Sequence, residues 1–210
     1  MIVIFTYNRE ALLKSLVDSL KGEKIMIIDD GSDYPIHFNN YHRYEHQGKE
    51  GFWQLWNEAL RMCHASSDNW FLFLQDDVTD VNLKEIKRIT RGMKDYAFNI
   101  MNRGPDRGWT RVPMYPVNLK GVQCQTVRYV DCIFATNRQT LDKIGWKMNP
   151  VPLHRFLNPY ISSGVGQQLS QRFAQNGILM YKPISSLAFH GDHESLMHKE
   201  ERLRNPLISI

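Results

Sequence analysis

The chain has 210 residues, with 26 Lys and Arg against 22 Asp and Glu for a formal net charge of +4, and 42% of it is hydrophobic. That length can bury a substantial single core and suits one domain; the composition is that of a globular protein, and no apolar run approaches the roughly 20 residues that cross a bilayer. The three cysteines, Cys63, Cys124 and Cys132, are odd in number and lack C-x-x-C spacing, which argues against a disulfide framework and a thiolate zinc site and leaves reduced thiols, two of them expected in the core.

The N-terminal MIVIFTYNRE has no basic n-region and runs straight into a strand pattern, so a secretory signal is not expected and cytoplasmic residence is. Residues 2–5 are a short apolar run, and Leu12, Leu13, Leu16, Val17 and Leu20 then recur at helical spacing. Residues 24–28 predict a second strand that stops at the turn formers Asp29-Asp30-Gly31-Ser32. Strand, helix and strand make a βαβ start, for which a right-handed crossover is expected. Residues 51–62 read as a helix with Phe52, Leu55, Trp56 and Leu60 inward, and residues 70–74 as a fully apolar strand ending in Gln75-Asp76-Asp77. A helix over 81–93 and a strand over 96–101 follow.

The second half is less regular. Residues 102–116, rich in Gly, Pro and Arg, predict a long surface loop, residues 126–135 a strand, and residues 138–144 a short helix. A proline-punctuated loop over 150–159, a helix over 165–174, and short strands over 178–181 and 186–190 precede a polar tail. The alternation predicts an α/β domain with a Rossmann-like, mostly parallel central sheet flanked by helices. No internal repeat, low-complexity tract or linker interrupts it.

In an open α/β sheet, ligands bind beyond the carboxyl ends of the strands. Three polar clusters stand there: Thr6-Tyr7-Asn8-Arg9, Asp29-Asp30-Gly31-Ser32-Asp33 and Gln75-Asp76-Asp77. No glycine-rich phosphate cradle follows the first strand, which argues against a dinucleotide fold or a P-loop. Adjacent carboxylates offer a divalent cation hard oxygen ligands, and such a cation can neutralise a diphosphate leaving group. Each cluster also has a plain structural reading. A Thr-Tyr-Asn-Arg turn can start a helix with Asn8 as its N-cap, Asp-Asp-Gly is a common turn, and paired aspartates after a strand can simply be solvated.

FTYNRE, IIDDGSD and LFLQDDV, in that order and spacing, resemble the nucleotide-sugar-binding half of GT-A fold glycosyltransferases of the family 2 type. The resemblance covers roughly the first 80 residues well and the rest loosely. It implies a single GT-A-like catalytic domain over 1–210, with residues 1–101 binding the nucleotide-sugar donor, a UDP-sugar, and residues 102–210 the acceptor. By similarity, Thr6, Tyr7 and Arg9 line the nucleoside pocket, Asp29 and Asp30 bind the donor with Asp30 on the base, and Gln75-Asp76-Asp77 takes the place of the family's DxD motif. Gln stands at its first position. Asp77 is then the metal ligand for Mn²⁺ or Mg²⁺, and Asp76 is assigned to the donor and to catalysis.

Phe189-His190-Gly191-Asp192-His193 resembles the C-terminal histidine segment that completes the family's metal shell, which assigns His190 as a second ligand; imidazole suits Mn²⁺ better than Mg²⁺. Lys49, in a stretch matching the family's glycine-rich segment before a donor-side helix, would reach the diphosphate or stay solvated. Ser162-Ser163-Gly164-Val165-Gly166-Gln167-Gln168 falls where inverting members carry a Glu-Asp pair, so that catalytic base is absent. Asp131 is the replacement considered, against a helix-capping or structural role, and a retaining route would need no such base.

For the acceptor, two enzyme readings compete with a non-catalytic nucleotide-binding protein. One is hydroxymethylcytosine in DNA, as in phage enzymes that glycosylate or arabinosylate that base, with Arg103, Arg107 and Arg111 gripping phosphates, Trp109 stacking on an extruded base, and Lys120 and Arg128 adding charge. The other is a bacterial surface saccharide, whose enzymes often carry a membrane-associating helix that this sequence lacks.

Overall fold

The computed structural model describes residues 1–102, 111–157 and 163–191. Its elements begin β1 (Ile2–Thr6), α1 (Glu10–Ser19), β2 (Ile25–Asp29), β3 (Tyr41–Arg43), α2 (Gly48–Ala65), β4 (Trp70–Gln75), β5 (Val78–Thr79), α3 (Leu83–Thr90) and β6 (Tyr96–Asn99). They continue with β7 (Pro116–Leu119), β8 (Val122–Val127), β9 (Phe134–Asn137), α4 (Arg138–Ile144), a 3-10 turn (Leu153–Leu157), α5 (Val165–Gln175), β10 (Leu179–Pro183) and β11 (Phe189–His190).

Nine strands form one sheet in the order β3-β2-β1-β4-β9-β6-β10-β8-β7, while β11 and β5 pair separately. The β3-β2-β1-β4 block is parallel throughout, as is the β6-β10 pair, whereas β9 and β8 run against their neighbours. The expected mostly parallel sheet is therefore parallel across the first half of the chain and mixed across the second.

Alternation along β1 explains the layering. Ile2 and Ile4 join Leu72, Leu74, Leu13 of α1 and Ile86 of α3 in one core, and Val3 and Phe5 join Phe71, Phe73, Trp56 of α2 and Leu169 of α5 in the other. Both faces of the sheet are thus covered, which is why β1 and β4 read as continuous apolar runs rather than alternating ones. Trp56, with no exposed surface, anchors the second core between Phe5, Phe73 and Phe134 at ring separations of 5.0, 4.8 and 6.0 Å.

Several elements differ from the sequence expectation. The strand predicted over 126–135 is two strands, β8 and β9, separated in the sheet by β6 and β10. Between them the backbone is held by side chains instead of a ladder: Val130 N donates to Ser170 Oγ at 2.8 Å and Asp131 N to Asn99 Oδ1 at 3.2 Å. The helix predicted over 81–93 is shorter, because the Asn82 side chain caps it through Glu85 N and Gly92 turns the chain with φ +76°. β3 was invisible to apolar periodicity, since all three of its residues are exposed. All three cysteines are buried, not two, and burial pushes the Cys63 thiol up to about 12 and Cys124 to about 11, which keeps both in the unreactive thiol form. Among the described residues, no helix is long and apolar enough to cross a membrane.

Candidate functional site

From β1 the chain moves to β2 on one side and later to β4 on the other, so the strand order reverses between β1 and β4. A crevice at the carboxyl ends of two such strands is where open α/β sheets take ligands. Thr6, Tyr7 and Arg9 leave one strand there, and Gln75, Asp76 and Asp77 leave the other.

Asp76 is clasped by the opposite strand end. Its Oδ2 accepts from Thr6 Oγ1 at 2.8 Å and Tyr7 N at 3.2 Å, and its Oδ1 accepts from Arg9 at 3.2 Å. The same Arg9 nitrogen donates to Asp77 Oδ2 at 2.6 Å. Burial, opposed by Arg9 and Thr6 and reinforced by the neighbouring Asp77 charge, raises the Asp76 carboxyl to about 6. Arg9 therefore stands on the carboxylate pair at this crevice.

Asp77 reaches its second partner through the small sheet. Antiparallel pairing of β5 with β11 sets His190 opposite Val78, and Gly191 N donates to Asp77 O at 2.7 Å. His190 Nε2 then lies 3.2 Å from Asp77 Oδ1, a buried oxygen with no hydrogen-bond donor. The pair is at ion-pair distance without hydrogen-bond geometry. His190 Nδ1 is 3.2 Å from Gly191 O, which leaves Nε2 as the ring atom turned to the carboxylate.

Ligands at right angles on a cation with bonds of about 2.1 Å lie about 3 Å apart, so Asp77 and His190 fit two positions of a Mn²⁺ or Mg²⁺ shell. No group of three or more His, Cys, Asp or Glu side chains is placed to hold a metal among the described residues. Two protein ligands supplemented by phosphate oxygens and water are the usual way such ions are held on nucleotides.

The Asp29-Asp30 pair is built differently. Asp29 accepts from Ser32 N at 3.1 Å, Ser32 Oγ at 2.5 Å and Arg43 Nε at 2.5 Å. Asp30 accepts from Gln47 N at 2.6 Å and Gly48 N at 3.1 Å, so it caps α2 from outside that helix, and His46 Nδ1 lies 3.0 Å from it. Burial, the largest influence on Asp30, raises its carboxyl against the opposing pull of those donors. Gly31, with φ +79°, permits this closeness, because a Cβ there would meet His46 N at 2.8 Å and Tyr44 O at 3.0 Å.

Asn8 is not the N-cap of α1. That position is Arg9, without a side-chain cap, while Asn8, at φ +50°, bonds across to Asp33 and Ser32 and ties the first cluster to the second. Tyr7 stacks on His46 with centroids 4.0 Å apart and 16° between planes. His46 joins the cluster, and Asn8 takes its partners there, through contacts that span 39 and 25 positions and leave no local periodicity.

Asp131 precedes β9, whose Phe134 pairs with Phe73 of β4 and Asn99 of β6, so its backbone lies toward the strand edge carrying Asp76. Its Oδ1 accepts from Cys132 N at 2.8 Å, a local bond and not a helix cap, since α4 is capped by Asn137. Lys49 stands in the first turn of α2 beside the Asp30 cap. Of the basic acceptor group, Arg103, Arg107 and Trp109 lie outside the described residues, and Arg111 is exposed just before β7. Lys120 donates to the carbonyls of Arg88 and Arg91 at the end of α3, and Arg128 Nε to Val112 O at 3.1 Å, so both brace loops.

No family model matches the chain, and no curated protein matches its sequence, so its chemistry rests on this geometry and on the three motifs.

Proposed function

We propose that the chain is a GT-A-like, metal-dependent glycosyltransferase that moves a sugar from a UDP-sugar onto an acceptor hydroxyl. The observation that carries this reading is the buried Asp77 Oδ1 facing His190 Nε2 at 3.2 Å, beside Asp76 and Arg9 at the β1–β4 crevice. In it, Asp77 and His190 hold Mn²⁺ or Mg²⁺, which supplies charge neutralisation for the departing diphosphate.

The chain's own residues do the rest. Tyr7, Thr6 and the Asp29-Asp30 turn border the nucleoside, and Lys49 and Arg9 supply positive charge for the phosphates. The acceptor oxygen forms its bond to the anomeric carbon while the bond from that carbon to the diphosphate oxygen breaks. Its proton passes to Asp131, or, because Asp131 Oδ1 is already engaged by Cys132 N, to the departing phosphate.

Hydroxymethylated cytosine in DNA is the acceptor we favour, on the exposed Arg111 and the arginines preceding it in sequence, and cytoplasmic residence goes with that choice. A surface saccharide is the alternative.

A hydrolysis screen across UDP-sugars, with and without hydroxymethylated DNA and with chelator, tests the reading. Chelator-sensitive release of UDP is the expected result. No turnover of any UDP-sugar, with or without acceptor, overturns it, and transfer to saccharides but not to DNA reassigns the acceptor alone.

A further inference from the structure

The Arg9 side chain sits between the two groups a metal-diphosphate complex would need. Its NH1 nitrogen lies 2.6 Å from Asp77 Oδ2 and 3.2 Å from Asp76 Oδ1, with 13% of the side chain exposed. One guanidinium therefore faces two carboxylates that are themselves almost fully buried. Asp77 presents its other oxygen to His190, so its two oxygens divide between the guanidinium and the imidazole. Arg9 is the N-cap of α1, with φ −136° and ψ 56°, and it joins that helix through its carbonyl, which accepts from Leu13 N at 2.9 Å, so the side chain can swing without breaking a helix hydrogen bond.

We infer that Arg9 is an exchangeable counter-cation: it neutralises Asp76 and Asp77 in the free protein and transfers to the donor's diphosphate when a divalent ion takes its place on Asp77. The inference rests on the metal-dependent reading of this site. Its physical basis is competition. A cation 2.6 Å from Asp77 lowers the attraction of that carboxylate for a second cation, and a planar guanidinium is well matched to phosphate oxygens once displaced. Arg9 is a positioning residue in this scheme, and its effects on metal and on diphosphate have opposite signs, which a merely structural residue would not produce.

Calorimetric titration of Mn²⁺ into the intact chain, alone and with UDP, separates the possibilities. Removing the competing charge with Arg9→Gln should tighten Mn²⁺ binding to the free protein about tenfold, while UDP affinity in saturating Mn²⁺ falls about tenfold, each equivalent to one charge-assisted contact. Arg9→Lys keeps the charge without the planar guanidinium that suits phosphate oxygens and should fall between the wild type and Arg9→Gln in both measurements. Unchanged or weaker Mn²⁺ binding in a folded Arg9→Gln overturns the inference. Should that variant fail to fold, Mn²⁺ affinity in Arg9→Lys no higher than wild type overturns it instead. Absence of Mn²⁺ binding in the wild type and both variants would instead remove the metal-dependent reading itself.

Discussion

Two Asp-Asp pairs end neighbouring segments of the same sheet, and burial does not distinguish them: Asp29 and Asp30 are 0% and 4% exposed, Asp76 and Asp77 are 5% and 3%. Their donors do. Asp29 and Asp30 are met by the Ser32 amide and hydroxyl, Arg43, the amides of Gln47 and Gly48 and the ring of His46, so both carboxylates are absorbed into holding the β2 turn and the start of α2. Asp76 and Asp77 share one arginine, Asp76 is pushed up to about 6, and one Asp77 oxygen has no donor. A buried carboxylate with its acceptors filled builds scaffold. One left with an unmet oxygen facing a histidine stands outside the scaffold's own hydrogen bonds.

The sharpest way to break this contrast is to remove one carboxylate from each pair. Asp77→Ala should lower UDP-sugar turnover by roughly a thousandfold, because several kcal/mol of charge stabilisation leave the site, while unfolding free energy moves by less than about 1 kcal/mol. Activity above about a tenth of wild type in steady-state kinetics would return Asp77 to the scaffold.

Asp29→Ala should act in the opposite currency. Loss of a fully buried acceptor leaves Arg43 and Ser32 without their carboxylate and should destabilise the protein by about 3 kcal/mol in denaturant unfolding. Turnover per folded molecule should stay within a few-fold. A stable Asp29→Ala with collapsed turnover would make the two pairs functionally alike.

A smaller effect sharpens the electrostatic side. Asp76 is raised from 3.8 to about 6 in the folded chain, so between those values the native state binds more protons than the unfolded state. Its contribution is therefore fully present below about pH 4 and is lost as pH climbs through about 6, a decline of about 2 to 3 kcal/mol. Asp76→Asn has no such titration, so the difference in stability between wild type and variant should change with pH over that window and be flat above about 7. A difference independent of pH from 4 to 8 would remove the raised Asp76 carboxyl from the contrast.

Much of the first half was legible in the sequence because its strands are local, apolar and covered on both faces. Residues 2–5, 24–28 and 70–74 were visible as runs, and the turn formers after each gave the strand ends to within one residue of β1, β2 and β4. The second half resisted the same reading. β7 and β8 are half-exposed, β9 begins after a stretch held by Asn99 and Ser170, and neither pattern is written in local periodicity.

The sequence by itself determined that polar clusters would stand at successive strand ends, because a buried apolar run must stop where the chain returns to water. It also singled out both aspartate pairs by residue type and place, and His190 by resemblance. Only the tertiary structure decided which pair is spoken for. That choice depends on donors from afar: Arg43 from a three-residue edge strand, Gln47 and Gly48 from a helix start, Arg9 across the crevice, and His190 delivered over a separation of 113 residues by the β5–β11 pairing. Hydrogen-bond saturation is a property of three-dimensional neighbours, and two identical dipeptides cannot carry it in their own letters.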